Sequence, residues 1–233
     1  MARNFTLGAL VTRCRERSDM EAGGLIDDTE FKGYISTVYA ELHELLSQSG
    51  LRFFESIQTI TSVTDNGDGG GYIALPADYL GTIGVDYQYS TNERRELREI
   101  MAQERNLYGG SNAGEAYAYA IVGANLILYP KPASSQTYKH HYNPMPTDLS
   151  ASADATVVDV VVPAGEDFVI WGVVRMALAK EESDTSMAER SFERARMRIE
   201  EAAQLRAITS PRRRIVDDEQ MLYDPADFYP WRR

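Results

Sequence analysis

The sequence predicts an α+β protein: a helical bundle of two N-terminal helices plus a long C-terminal helix, with an inserted β-rich lobe and an extended C-terminal tail. Three observations predict this. Apolar residues recur at three- and four-residue spacing near both ends of the chain, as on helices with one buried stripe. The centre instead alternates β-branched and aromatic residues between glycine- and proline-rich turns. The last stretch, 209–233 (TSPRRRIVDDEQMLYDPADFYPWRR), fits neither pattern. The expected division is a discontinuous bundle of 1–50 and 163–208, a β-rich insertion of 51–162 and a tail of 209–233.

In chain order, Thr6 is placed to cap a first helix running to about Met20, with Leu7, Leu10, Val11 and Cys14 on one face and Gly23 and Gly24 as its stop. Asp27 with Glu30 has the form of a capping box, followed by the stripe Phe31, Ile35, Val38, Leu42 and Leu45. Tyr34 and Tyr39 beside that stripe suggest packing on a neighbouring helix or subunit. Residues 56–64 (SIQTITSVT) and 72–75 read as a hairpin whose tip is the glycine-rich DNGDGGG. Further strands are expected at 82–89, 118–129 and 137–142, with Gly123, Ala124 and Asn125 a tight turn inside the second. Leu97, Ile100, Met101 and Leu107 predict a short helix closed by Gly109 and Gly110. Residues 157–162 read as a short apolar strand or connector ending at Pro163. Phe168, Trp171, Val174 and Leu178 open the last helix, and Met187, Phe192, Ala195, Ile199 and Ala202 continue it. It would span roughly 60 Å unbroken, with a break plausible at 183–186 (SDTS), residues that favour caps and turns.

The tail cannot fold alone. Pro211, Pro225 and Pro230 bar a continuous helix, while Ile215, Val216, Met221, Leu222, Tyr223, Phe228, Tyr229 and Trp231 carry more apolar surface than a solvated terminus needs. Such aromatic anchors suit docking into pockets or strand addition on another subunit; folding back on its own domain is the alternative. Arg212, Arg213 and Arg214 read as an anchor on an acidic partner surface or as a solvated basic run balanced by Asp217, Asp218 and Glu219.

Composition excludes some functions. A formal net charge of -11 argues against a protein that holds nucleic acid by neutralising phosphates. The one cysteine, Cys14, cannot form an intrachain disulfide and reads as a buried thiol. Arg3 is followed by too short an apolar run for a signal peptide, and no apolar stretch approaches about 18 residues. A chain made in the cytoplasm, without a membrane anchor, is expected.

The chemistry-bearing motifs are weak. His43 falls on the second helix, while His140 and His141 would alternate faces of a strand, which does not make a zinc site; the histidines read as residues of a strand surface or an interface. Asp65, Asn66, Gly67 and Asp68 lack the alternate oxygens and terminal glutamate of a calcium loop, and the glycine clusters match no phosphate-binding or dinucleotide fingerprint. Carboxylates are numerous, but no pair is singled out for a glycosidase. No catalytic, cofactor-binding or metal-binding residue is therefore assigned, and a non-enzyme is expected.

The R-x-R-S-D-M turn of helix one, the run from Asp27 to Leu46 (D-D-T-E-F-x-x-Y-I-x-x-x-Y-x-E-L-x-x-L-L), Y-I-A-L-P-A-D-Y-L at 72–80, L-I-L-Y-P-K-P at 126–132 and A-L-A-K-E-E-S-D at 177–184 follow in an order that resembles the head-to-tail adaptor proteins of tailed bacteriophages. The likeness covers most of the chain. It implies a structural protein of the virion neck, made in the host cytoplasm, forming a homo-oligomeric ring, commonly of twelve copies, on the portal protein. The ring would line a channel through which double-stranded DNA passes without sequence-specific binding, and would receive tail nozzle or fibre proteins on its far side. By the same resemblance the tail, from Arg212 to Trp231, would dock on the portal. A muramidase-like cell-wall glycoside hydrolase is one alternative. A glycan- or host-binding tail module using Tyr117, Tyr119 or Tyr142 is the other.

Overall fold

The first helix starts where its cap is. Thr6 accepts a hydrogen bond from the Ala9 N–H at 3.3 Å, satisfying one of the donors that a helix start leaves open. This helix, α1 (Leu7–Ser18), belongs to a computed structural model that describes residues 4–20, 25–48, 53–65, 67, 69–108 and 114–209. It buries Leu7, Leu10, Val11 and Cys14. Asp19, in the left-handed conformation (φ 57°), ends it ahead of the expected glycine stop; Gly23 and Gly24 lie outside the described residues.

The second helix, α2 (Asp28–Gln48), is capped by Asp27, whose Oδ1 accepts the Glu30 N–H at 2.7 Å. The expected capping box is only half formed, because the Glu30 carboxylate takes Tyr34 and Lys180 instead. Phe31, Ile35, Val38, Leu42 and Leu46 are fully buried. Each such side chain contributes roughly 1.5–3 kcal/mol by leaving water, so this stripe dominates the helix's stability.

The C-terminal helical region departs from a single long rod. A four-residue α3 (Arg105–Tyr108) precedes it in the chain; α4 (Gly165–Lys180) and α5 (Ser186–Thr209) then form a hairpin. Glu182 adopts φ 57°, and Asp184 accepts both the N–H and the hydroxyl of Ser186, at 3.0 and 2.9 Å, to start α5. The return path sets Phe192 beside Phe168, with ring centroids 4.5 Å apart, and Arg198 beside Asp167. The α4 helix is buried on most sides, with α1, α2 and α5 around it. Gly172 permits the close crossing: a Cβ there would lie 2.6 Å from Val38 Cγ1 and 3.1 Å from the Phe192 ring.

A short ladder not foreseen from the sequence ties the chain's start to this region: β1 (Asn4–Thr6) pairs antiparallel with β11 (Val157–Asp159). Leu149, Val158, Val160 and Val162 share the apolar cluster of α1, α2, α4 and α5.

The other strands form two sheets. One has the order β2 (Ser56–Ile60), β10 (Thr137–Pro144), β5 (Tyr79–Gln88), β6 (Arg94–Glu96), all antiparallel. The other runs β3 (Thr64–Asp65), β4 (Gly71–Ala74), β9 (Asn125–Tyr129), β8 (Ala118–Val122), β7 (Arg98–Glu99). Gly123 (φ 61°) makes the expected tight turn between β8 and β9. Ile60, Val85 and Tyr138 of the first sheet meet Tyr119, Leu126 and Leu128 of the second in one apolar cluster.

Two sequence expectations are corrected here. Residues 56–64 are not one hairpin arm, since β2 pairs with β10 and only Thr64 and Asp65 pair with β4. Residues 94–96 and 98–99 are strands of the two different sheets, with Leu97 between them buried and its N–H bonded to Val85 O; helical turns occupy only 102–108. Gly109 and Gly110 lie outside the described residues.

Candidate interaction surfaces

The residues assigned to portal docking, Arg212, Arg213, Arg214, Ile215, Val216, Met221, Leu222, Tyr223, Phe228, Tyr229 and Trp231, lie outside the described residues. The other candidates can be located.

His140 and His141 are buried on β10, which corrects the surface half of the strand surface-or-interface expectation, and His43 is buried on α2. His43 lies under the Phe54 ring, 4.1 Å between centroids, and burial lowers its pKa. His140 is fully buried on β10. Its Nδ1 stands 3.2 Å from Gln58 Oε1 and its Nε2 2.9 Å from Thr82 Oγ1. The Gln58 amide nitrogen donates to Ala74 O at 3.2 Å, so its oxygen faces the imidazole. His140 is then the neutral Nδ1–H tautomer, accepting from Thr82, which in turn accepts from Tyr79 at 3.1 Å. Burial, with the neighbouring His141, pushes the His140 pKa down to about 4.

A hydroxyl on an imidazole has the outline of a nucleophile and base, but a sealed and weakly basic ring can neither meet a substrate nor take a proton efficiently near neutrality. The group is a structural polar network. On the opposite face of β10, His141 Nδ1 is 2.5 Å from Glu55 Oε1, and its Nε2 stands 3.4 Å from Asp86 Oδ2.

Asp65 spends its carboxylate inside the hairpin tip. Oδ1 accepts the Gly67 N–H at 2.9 Å and Oδ2 takes Lys131 at 2.7 Å. Asn66 and Asp68 lie outside the described residues. Among the described residues no group of three or more His, Cys, Asp or Glu could hold a metal ion. Cys14 is buried, and burial pushes its thiol up to about 12, away from reactive thiolate. Of the aromatics considered for glycan binding, Tyr119 and Tyr142 are buried and Tyr117 is exposed.

The described surface offers two further features. A groove of about 990 Å³ runs between the outer face of α2 and the adjoining ends of β5 and β10. Glu41 and Glu44 line one side of it, and Leu80 and Met145, about half exposed, the other. The second feature is the outer face of α5. Met187, Arg190, Arg194, Met197 and Leu205 recur there at helical spacing, and the three apolar ones are more than half exposed. Sequence reasoning assigned Met187 to the buried stripe of the last helix, but Ala188, Phe192, Ala195 and Ile199 form that stripe.

A family model described as SU10 adaptor protein matches residues 5–215, which is most of the chain. The chain belongs to this family, a family of bacteriophage adaptor proteins, as the resemblance implied. Comparison with curated proteins finds no match. Among the described residues no helix is long and apolar enough to cross a membrane.

Proposed function

We propose that the protein is a structural component of the virion neck, a head-to-tail adaptor that assembles as a ring, commonly of twelve copies, below the portal. Residues 1–50 and 163–208 form the ring wall around the DNA channel, the insertion 51–162 faces outward or toward nozzle or fibre proteins, and 209–233 docks on the portal. The observation that carries this reading is the family match across 5–215, joined to the proline-broken, aromatic-rich sequence that follows the last helical pattern at 209–233.

The charge supports it. A channel wall built from a chain of net charge -11 repels a phosphate backbone and lets it slide, where a basic wall would hold it. The protein acts by binding and without catalysing a reaction, which agrees with histidines engaged in structural contacts.

The test is co-sedimentation of the purified chain with the portal from the same particle, comparing the full chain with one ending at Thr209. Portal binding by the full chain and its loss on truncation, with the helical circular dichroism retained, is the expected result. Equal binding by both would overturn the tail's role.

A further inference from the structure

We propose that neighbouring copies of this chain meet by seating the outer face of α5 of one copy in the groove between α2 and the β5–β10 ends of the next. Arg190 and Arg194 then lie opposite Glu41 and Glu44. The inference rests on the ring reading above and names the two surfaces that a ring requires.

Head-to-tail rings need two different complementary patches on separate sides of the protomer, since one self-complementary patch gives only a closed pair. The two features occupy separate sides. Phe192 and Arg196 of α5 border the same depression as Glu41, Glu44 and Gln48, so they mark the side of α5 nearest α2. At roughly 100° per residue, the stripe of Met187, Arg190, Arg194 and Met197 is centred about 160° around the helix from that side.

Charge complementarity picks the occupant. Between 33 and 48, α2 has Glu41 and Glu44 and no Lys or Arg. Glu41 takes no hydrogen bond or ion pair among the described residues, and Glu44 takes only the amide of Gln48. On α5 the arginines divide by role: Arg196 pairs with Glu200 and Arg198 with Asp167. Arg190 and Arg194 make no hydrogen bond or close ion pair among the described residues, Arg190 acting only through space on Asp184 at the start of α5, although the chain as a whole is acidic. The spacings also agree, because four residues place the two arginines about 6 Å apart along α5 and three residues place the two glutamates about 4.5 Å apart along α2.

Apolar contacts complete the match. Met187 and Met197 flank the arginines, and Leu80 and Met145 face the glutamates across the groove. Unbranched methionines adapt to an irregular groove, and anchors at i, i+3, i+7 and i+10 follow the pattern of a helix face laid into one.

The test uses the full chain carrying E41R/E44R or R190E/R194E, each alone and mixed, with mass measured by light scattering with and without portal. Each charge reversal by itself is expected to raise the concentration needed for assembly tenfold or more. Mixing the two, which restores opposite charges at every contact, should recover it. Assembly like that of the unmodified chain in either variant, or no recovery in the mixture, overturns the proposal; the former is also the outcome if the groove holds the chain's own C-terminal segment. If the unmodified chain forms no ring, even with portal, the ring reading fails and this interface with it. As a second measurement, M145C with M197C should give a covalent ladder on oxidation, Cys14 being buried. Monomer alone under assembling conditions contradicts the contact.

Discussion

Lys180, the last residue of α4, holds Glu30 in the first turn of α2, its Nζ 2.6 and 2.5 Å from the two carboxylate oxygens. The hydrogen bonds from Lys180 and then from Tyr34 keep the Glu30 carboxyl below its ordinary range. This contact joins the end of one buried helix to the start of another. It also accounts for the half-formed capping box.

A depressed carboxyl pKa means that the unfolded chain binds the proton more readily. Glu30 therefore contributes stability above its unfolded pKa, near 4.5, and that contribution is lost as pH falls through the lower folded value. Glu30→Gln should flatten the loss of melting temperature on acidification below about pH 4.5 relative to the unmodified chain. An unchanged acid limb would show that the contact does not govern it.

His140 predicts a separate pH window. Its folded pKa is pushed down to about 4 from 6.5, so the unfolded state binds more protons between those values. Stability should rise with pH across this window and level off above about 6.5. His140→Gln, which keeps an amide able to reach Thr82 and Gln58, should remove that part of the pH dependence. Chemical denaturation at a series of pH values would measure it.

The crossing at Gly172 has little room. Gly172→Ala gains up to about 1 kcal/mol of helix propensity but meets Val38, a side chain stiff at χ1, and overpacking costs about 1–3 kcal/mol. A net loss of about 1 kcal/mol is expected in urea unfolding. Gly33→Ala is the contrast: within α2 a Cβ at Gly33 meets nothing within 4 Å, and the gain of up to about 1 kcal/mol should appear undiminished.

Cys14 should resist thiol reagents. Burial pushes its pKa up to about 12, so at pH 8 it should react with Ellman's reagent only at the rate at which the chain unfolds. Rapid labelling of the native protein would contradict its place in the core.

The sequence made some of this legible and hid the rest for physical reasons. Thr6, Asp27 and Gly123 act locally, and each was identified from its own neighbourhood. The break at 183–186 was legible as a possibility, but the direction of α5 after it depends on Phe168 and Phe192 meeting. β1 was missed because three residues become a strand only through Val157, Val158 and Asp159, far along the chain. Residues 94–99 carry Arg, Glu and Leu at helical spacing, and pairing with β5 and β8 overrides that preference. Alternation in 56–64 announced extended chain without naming its partner. The outer face of α5 was hidden because Met187 fits a helical apolar pattern as well as it fits an exposed interface. The tail's composition set it apart from the start, and its residues from 210 on lie outside the described structure.

The most direct test of the adaptor account is the mass of the complex formed with the portal, measured by light scattering. The account predicts an increment equal to a whole ring of chains per portal, commonly twelve, for the full chain, and none for the chain ending at Thr209. A full chain that adds no mass to the portal, or adds single copies without closing a ring, would contradict it.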